Sequence, residues 1–331
     1  MSTPLQEAFG GHWLSQAIFT LHRLGIPELL QQQPHTLADL AEHLDADARA
    51  LWQVLEIAKI LDAIELDSAG AYRLTAQGLR LLPAREDSFI PFMDHLLSGY
   101  AAWGELAHSV KTGGPAFAQI HGMDIYDFLS RQPTQNTFFN RYMAQTTDTW
   151  LAQAGQHYDF EGRVIDLGGN KGALSALLLR QFPALRSTVF DLEHAVQQAP
   201  PVLQAAGVAD RCQLVAGSFF EPDSIPTNGD IYLLSRVLLN WNDTQALAIL
   251  QNCRQAMPTG SKLLILEIIL SEQASLNDYL SSLNLLVMFG ARLRNHAEFE
   301  GLLAQAGFVQ PRWIPAGFGE NPLFYLEATL A

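Results

Sequence analysis

The stretch DIYLLSRVLLNWND, residues 230–243, contains a predicted strand and the turn that follows it. Leucines occupy this turn, where reactive side chains are expected. Ligands of parallel sheets bind beyond the carboxyl ends of the strands, so the groups that act on them lie there. Here the strand is followed by Leu238 and Leu239, and then by Asn240 and Trp241. A reaction at this edge must therefore proceed with an apolar side chain in the place of a base.

A second predicted strand end carries a glycine-rich turn, VIDLGGNKG at residues 164–172. Gly168 and Gly169 permit a positive φ and close approach of a ligand to the backbone, and the helix start that follows favours a phosphate or a carboxylate. The spacing is G-G-x-x-G rather than G-x-G-x-x-G. Asp191 ends the next predicted strand, 25 residues beyond Asp166, where a carboxylate that binds ribose hydroxyls is expected. Together these features predict a ligand that contains adenosine.

These motifs resemble those of the small-molecule O-methyltransferases that use S-adenosylmethionine, and the resemblance covers nearly the whole chain. It rests on VIDLGGNKGALSALLLRQFPALRSTVFDLEHAV, HGMDIYDFLSRQPTQNTFFNRYMA, DIYLLSRVLLNWND and ILQNCRQAMPTGSKLLILE. Within the family, NGDIYLLSR and NCRQAM are most similar to bacterial enzymes that tailor pigments such as phenazines. The resemblance implies S-adenosylmethionine as the donor, S-adenosylhomocysteine as the product, a small aromatic substrate and no metal.

The resemblance also implies a set of cofactor-binding residues. Gly168 matches the position against the methionine part, Asp191 the ribose-binding acid, and Phe219 and Trp241 the residues that sandwich or flank the adenine. Ser218 is a departure, because the family commonly has Asp beside the adenine. The other members of the implied set are Asp166, Gly169, Leu192 and, near the amino-acid end of the cofactor, Ser235 and Arg236.

The larger departure lies at the general base. The family usually reads L-H-D-W-x-D, and its His deprotonates the substrate hydroxyl, but Leu239 stands at that position here. The family's G-x-E-R-T motif holds that His through its Glu, and the corresponding stretch GARLRN has Leu293 there. A third family acid is retained as Glu267, for which a catalytic role and a structural role at the strand end both remain open.

Methyl transfer does not depend absolutely on a base. A positioned general base contributes ~10²–10⁴ in rate, whereas alignment of the reactants can supply about 7–11 kcal/mol. A heteroaromatic nitrogen has a free lone pair and an acidic hydroxyl is already partly ionised, so we expect one of these as the acceptor, beside a dry wall of leucine. A replacement base is the alternative, with His95 as the first candidate and Asp94, Tyr142 and His296 as weaker ones.

Residues that fall where the family lines its substrate cavity complete the predicted site. They are Trp103, Phe138, Tyr142, Met143, Asn240, Asn284 and Met288. The leading hypothesis is methylation of a hydroxyl or a ring nitrogen of a small aromatic secondary metabolite. The alternative is a methyltransferase-fold enzyme that retains the cofactor but performs a decarboxylation, a hydroxylation or a pericyclic step.

From residue 162 the pattern alternates between strands and helices, which predicts an α/β fold with a doubly wound, Rossmann-like methyltransferase sheet. The strand candidates are RVIDLG, RSTVFDL, CQLVAG, DIYLLSR, KLLILEIIL, FVQPRWIPA and LFYLEATL. We expect a domain of residues 1–95 and a second of residues 96–331, the latter made of a helical linker and the catalytic sheet.

The first 85 residues predict helices followed by a hairpin around Ser68-Ala69-Gly70, which is the order of a winged helix. This raises the hypothesis of a DNA-binding regulator. The same segment has six Lys and Arg against ten Asp and Glu, whereas DNA binding needs a basic face. We therefore expect this region to form a homodimer and not to bind nucleic acid.

The composition limits the remaining function classes. The 331 residues carry a net charge of −14, which disfavours nucleic acids and anionic membranes as partners. No apolar run is long enough to span a membrane, and the amino-terminal stretch lacks the features of a signal peptide, so we expect a cytoplasmic protein. The two cysteines, Cys212 and Cys253, predict neither a disulfide framework nor a metal site.

Overall fold

The protein is described by a computed structural model that covers residues 4–85, 87–155, 157–316 and 323–330. The chain divides into two compact units: residues 1–98 with 137–142, and residues 99–136 with 143–331. Two long helices contribute residues to both units, so the division at residue 98 and the predicted boundary at residue 95 both fall within one helix. The boundary at residue 95 stays a prediction.

The first unit has the predicted order of helices followed by a hairpin. Thr36 and Asp47 cap two of its helices: the Thr36 side chain accepts from the Asp39 backbone N–H, and the Asp47 side chain accepts from that of Ala50. The elements are α1 Pro4–Arg23, α2 Ile26–Gln32, α3 Leu37–His43, α4 Ala48–Ile60, β1 Ile64–Leu66 and β2 Tyr72–Leu74, followed by a 3₁₀ turn at Gly78–Leu81.

A group of helices follows the hairpin. They are α5 Ile90–Gly104, α6 Leu106–Thr112, α7 Ala116–His121, α8 Ile125–Arg131 and α9 Pro133–Ala154. Short polar caps and glycines separate them: the Asp124 side chain accepts from two backbone N–H groups at the start of α8, and Gly113 and Gly122 end α6 and α7 with a positive φ. No described helix is long and apolar enough to cross a membrane.

The second unit contains a seven-stranded sheet in the order β5-β4-β3-β6-β7-β9-β8. Its strands are β3 Arg163–Leu167, β4 Arg186–Asp191, β5 Cys212–Ala216, β6 Ile231–Ser235, β7 Lys262–Ile268, β8 Phe308–Pro315 and β9 Leu323–Leu330. The first five strands of this order run parallel, whereas β9 pairs antiparallel with both β7 and β8. The helices of this unit are α10 Ala173–Gln181, α11 Glu193–Val196, α12 Ala199–Ala205, α13 Asp243–Ala256, α14 Leu276–Phe289 and α15 His296–Ala306.

The central strands are buried on both faces, as their nearly continuous apolar sequences require. One face contributes Ile165, Leu167 and Leu234 to a core with α13 and α15, and the other contributes Val164 and Leu233 to a core with α10 and α12. The parallel register aligns Leu167 with both Phe190 and Leu234. The carboxyl ends of β3, β4, β6 and β7 therefore meet at one edge.

A capping box fixes the helix that leaves this edge. The Asn242 side chain accepts from the Gln245 backbone N–H at 3.0 Å, and the Gln245 side chain accepts from the Asn242 N–H at 3.4 Å. The cap starts α13 directly after Trp241, so it determines where the loop of residues 238–241 ends.

We predict that Asn242→Ala lowers the free energy of unfolding by about 1 kcal/mol, because the Gln245 backbone N–H loses its side-chain acceptor. Asn242→Asp preserves the acceptor and should unfold at nearly the wild-type urea midpoint. Both variants are compared by urea denaturation followed by circular dichroism. Equal midpoints for the Ala variant and wild type would show that the cap does not determine the stability of this helix.

Candidate active site

The glycine turn after β3 forms one side of the cleft at the sheet edge. Gly168 has φ 72° and donates its N–H to the Phe190 carbonyl at 2.8 Å. A Cβ on Gly168 would lie 2.8 Å from Val237 Cγ2 and 3.7 Å from Phe219 Cε1. Both the left-handed backbone and this close approach require glycine here, and they bring the turn against the exit of β6.

Asp166 supports the turn from inside the protein. Its side chain is 1% exposed, and the Ser175 hydroxyl donates to Oδ2 at 2.7 Å. A Cβ on Gly169 would lie 2.8 Å from the same oxygen. Burial raises the pKa of Asp166 to about 6. The geometry suits a residue that holds the turn in place beneath the ligand.

Asp191 ends β4 and receives two backbone N–H groups. Asn170, itself in the left-handed region with φ 50°, donates to Oδ2 at 2.8 Å, and Leu192 donates to Oδ1 at 2.7 Å. Burial raises the pKa of Asp191, and these two hydrogen bonds oppose the rise. The carboxyl is thereby fixed at the strand end, where each oxygen retains acceptor capacity for a diol.

Aromatic rings lie beside the glycine turn, where a Cβ on Gly168 would be 3.7 Å from Phe219 Cε1. The rings of Phe219 and Trp241 have centroids 5.8 Å apart at 83°, and those of Phe220 and Trp241 lie 4.8 Å apart at 82°. The edge-to-face arrangement fits rings that flank a planar base better than two parallel faces that sandwich it. Ser218, which stands where the family commonly has Asp, stabilises the local turn: its hydroxyl accepts from the Phe220 N–H at 3.3 Å.

The leucine stretch is a short 3₁₀ turn over a buried carboxyl. Leu238 is fully buried, Leu239 is half-buried, and Leu293 is 2% exposed. The Leu239 N–H donates to Glu267 Oε1 at 3.3 Å, and Glu267 Oε2 has no hydrogen-bond partner among the described residues. Burial raises the pKa of Glu267 to about 8, although its hydrogen bonds and Arg294 act in the other direction. Burial therefore favours the uncharged form of Glu267.

Arg294 holds the leucine stretch in place. Its fully buried guanidinium donates to the carbonyls of Leu238 and Trp241 at 2.8 and 2.7 Å, and to Asp243 Oδ1 at 2.9 Å. Arg294 was not among the predicted site residues. At the exit of β6, Arg236 has φ 54° and donates its N–H to the Leu266 carbonyl, while Ser235 and Arg236 are both half-buried.

Tyr126 on α8 belongs to the same cleft and was not among the predicted site residues. Its ring stacks on Trp241 at 5.8 Å and 23°, and its hydroxyl is hydrogen-bonded to the Asn240 side chain. Burial and the nearby Asp191 raise the pKa of the phenol. Its position in HGMDIYDFL could have indicated this role, because that stretch resembles the family's substrate-lining helices.

The predicted substrate residues fall into two groups. The second unit brings together Trp103, Asn284 and Met288: the Trp103 indole N–H donates to Asn284 Oδ1 at 2.9 Å, and a Cβ on Gly99 would lie 2.8 Å from Met288 Sδ. Met143 also belongs to this unit, whereas Phe138 and Tyr142 belong to the first.

The proposed replacement bases have other surroundings. His95, in the first unit, stacks on Tyr142 at 4.4 Å and 8°, and burial lowers its pKa to about 4, so the imidazole is neutral and a weak proton acceptor. Asp94 lies 3.5 Å from His22 Nε2. His296 lies edge-on between the rings of Trp313 and Phe324 at 4.3 and 5.3 Å. All three side chains therefore make contacts that can be purely structural. A catalytic role for His95 stays a prediction.

Comparisons with known proteins test the fold and the chemistry. A family model of O-methyltransferase domains matches residues 103–309, and one of O-methyltransferase dimerisation domains matches residues 6–84. The chain is 34% identical to the phenazine O-methyltransferase of Lysobacter antibioticus, covering 96% of this chain and 94% of that protein. It is 28% identical to the phenazine-1-carboxylate N-methyltransferase of Pseudomonas aeruginosa, covering 94% and 92%.

A comparison with solved structures supports the same fold. The structure of a mitomycin 7-O-methyltransferase superposes with a TM-score of 0.89 at 31% identity, covering 99% of this chain and 97% of that one. The predicted resemblance, the fold class and the use of S-adenosylmethionine are confirmed. No group of His, Cys, Asp and Glu among the described residues could hold a metal ion.

We predict that Glu267→Gln makes unfolding less dependent on pH. A pKa raised from 4.5 to about 8 means that the folded state keeps a proton that the unfolded state loses. The stability from this group is therefore fully present below pH 4.5 and lost as the pH rises through 8. The melting temperature of the Gln variant should gain on wild type between pH 5 and 9, by an amount that corresponds to a few kcal/mol.

The exposed substitution Glu272→Gln is the matched control, and its melting temperature should follow wild type throughout the range. A constant difference between Glu267→Gln and wild type from pH 5 to 9 would mean that Glu267 is ionised normally in the folded protein.

Proposed function

The chain belongs to the family of O-methyltransferases that use S-adenosylmethionine, and from that premise we propose that it methylates a small aromatic or N-heteroaromatic secondary metabolite by positioning alone. The accepting atom is a hydroxyl oxygen or a ring nitrogen. The relatives act at both kinds of atom, since one phenazine enzyme is an O-methyltransferase and the other an N-methyltransferase.

The residues at the sheet edge fit the cofactor. Gly168 leaves a space that a Cβ would fill, Asp191 offers acceptors at the strand end, and the Trp241 ring supplies an apolar flank. We assign these to the methionine part, the ribose hydroxyls and the adenine, respectively. When bound, S-adenosylmethionine supplies an electrophilic methyl group on a sulfonium.

The observation that carries the base-free proposal is the contact between Leu239, which stands at the base position, and the buried Glu267: the Leu239 N–H donates to Glu267 Oε1 at 3.3 Å. Burial raises the pKa of that carboxyl, which favours its neutral form. Leu239 and Leu293 then exclude water from the acceptor atom, while Arg294 fixes the backbone that carries Leu239. Such a site favours acceptors that need no early deprotonation, such as a ring nitrogen or an acidic hydroxyl.

We also propose that two copies form a homodimer through the region of residues 1–95. This region contains the match to the dimerisation domain. Leu5, Phe9 and Trp13 recur on one face of α1 and are 68%, 70% and 73% exposed. A second copy would cover this apolar stripe.

Cofactor binding is the first test. Titration calorimetry with S-adenosylhomocysteine should detect binding to the wild type, and Asp191→Ala should weaken it by about 3 kcal/mol at most, roughly a hundredfold in Kd. The exposed Asp210→Ala is the control and should match wild type. Absence of binding by the wild-type protein would overturn the proposed function.

Product analysis then separates methylation from the alternative reactions. Incubation with S-adenosylmethionine and candidate aromatics should release S-adenosylhomocysteine in a one-to-one ratio with methylated product. Turnover of an aromatic compound without S-adenosylhomocysteine would instead support a decarboxylation, a hydroxylation or a pericyclic step.

We predict that Leu239→His does not raise kcat/KM and lowers it when the imidazole admits water to the cleft. Leu239→Met keeps an apolar side chain of similar volume and should retain activity. The two variants are compared with wild type in a methyl-transfer assay. A hundredfold gain for Leu239→His, which is within the ~10²–10⁴ that a base contributes, would refute the base-free account.

A further inference from the structure

A chain of buried hydroxyl groups lies beneath the glycine turn. The Ser175 hydroxyl donates to Asp166 Oδ2 at 2.7 Å, and its oxygen lies 2.8 Å from the Ser187 hydroxyl oxygen. Because the single hydroxyl proton of Ser175 is directed at Asp166, the Ser187 hydroxyl is the donor in the second bond. Both protons therefore point toward the carboxyl, and such a chain favours a negative charge at its end.

The hydrogen bond between Asp166 and Ser175 spans the glycine turn. Asp166 precedes the turn on β3, and Ser175 follows it in the first turn of α10. Gly169 lies between them and packs on the same carboxyl, since a Cβ there would lie 2.8 Å from Asp166 Oδ2. Ser187 extends the chain to β4. One carboxyl group thus joins the turn to two strands and to the helix that follows.

These polar groups are closed to solvent. The side chains of Asp166, Ser175 and Ser187 are 1%, 0% and 1% exposed. Burial has the largest effect on the Asp166 carboxyl and raises its pKa, the Ser175 hydroxyl opposes this rise, and the charge of Asp191 adds to it. The Ser175 hydroxyl therefore favours the ionised form of a carboxyl whose burial favours the neutral one.

A carboxylate beneath this turn can distinguish the two forms of the cofactor. S-adenosylmethionine and S-adenosylhomocysteine share their adenosine, ammonium and carboxylate groups, but only the first has a positively charged sulfur. In the proposed function the methionine part lies against Gly168, which is adjacent to the glycine that packs on Asp166. An opposite charge nearby stabilises a cation, and it does so more strongly in a water-poor site than in bulk solvent.

We propose that Ser175 is a positioning residue for the methyl donor. Through Asp166 it fixes the glycine turn and keeps a negative charge beneath it, so that the protein binds S-adenosylmethionine more tightly than S-adenosylhomocysteine. This inference rests on the proposed function and adds to it a means of selecting the charged donor over the spent cofactor. Ser187 acts one step further away, because it donates to the Ser175 hydroxyl.

The test measures the dissociation constants of both cofactor forms by titration calorimetry from pH 5 to 8, without a methyl acceptor. The wild type should prefer S-adenosylmethionine, and the preference should decline toward acidic pH as Asp166 takes up a proton. Titration of groups that the two ligands share cancels in the ratio of the dissociation constants. Asp191 and Cys212 also interact electrostatically with Asp166, and Lys171 is the cation of the turn, but all three stay unchanged in the variants.

Three substitutions separate charge from structure. Asp166→Asn should lower the preference about tenfold, the effect of one pKa unit, and should remove its dependence on pH. Ser175→Ala lacks the hydroxyl that favours ionisation, so its preference should be lost at a higher pH than that of the wild type. Ser175→Cys keeps a similar volume with a weaker donor and should give an intermediate profile.

Ser261→Ala is the matched control. Ser261 is also a buried serine, and its hydroxyl donates to the Pro258 carbonyl at 2.7 Å. It lies directly before β7, at the edge of the sheet opposite the cleft, so its preference should follow the wild type at every pH. Circular dichroism and S-adenosylhomocysteine binding report on the integrity of each variant.

Two results would overturn the proposal: equal ratios of the dissociation constants in the wild type and Asp166→Asn, and a pH profile of Ser175→Ala that coincides with that of the wild type. Either result with normal S-adenosylhomocysteine binding leaves the proposed methyl transfer standing. A wild type that binds neither form of the cofactor contradicts the proposed function itself.

Discussion

The hydrogen bonds of the buried Arg294 guanidinium are the interaction on which the geometry of the cleft depends. A buried cation is stable only when its donors are satisfied, and here two backbone carbonyls and Asp243 accept them. Asp243 lies largely in solvent and also pairs with Arg292 at 3.1 Å, so the compensating charge does not have to be buried. The backbone from Leu238 to Trp241 is therefore fixed without any contribution from the side chain at position 239.

This arrangement explains how leucine can occupy the base position without loss of the fold. The loop is held through its carbonyl groups, so its position does not depend on a partner for the side chain at position 239. Glu267 accepts from the Leu239 N–H, and desolvation, which outweighs the attraction of Arg294, raises the pKa of its carboxyl. The leucines are thus bordered by one compensated cation and one acid whose neutral form is favoured, an environment consistent with the proposed transfer without early proton removal.

The parts of the site that the sequence predicts are those defined by local chemistry. Gly168 and Asp191 follow strands at a recognisable spacing, and the register of β3 with β4 brings them together. Tyr126 and Arg294 could not be assigned in this way, because their roles come from contacts with residues 240–243, far along the chain. The antiparallel pairing of β9 with β7 could not be predicted either. An apolar strand sequence does not by itself specify the direction in which the strand runs.

Two parts of the site are held by different kinds of contact, and this difference affects how substrate specificity can vary within one fold. At Gly168 and Gly169, which we propose to face the cofactor, an added Cβ would collide with Val237 or Asp166. The side that contains α8 and α14 uses amides oriented by aromatic rings, as in the Trp103–Asn284 pair. That hydrogen bond joins two side chains, so a substitution at Asn284 removes no backbone hydrogen bond. Under the proposed function, residues on this side can therefore vary while the glycine turn is preserved.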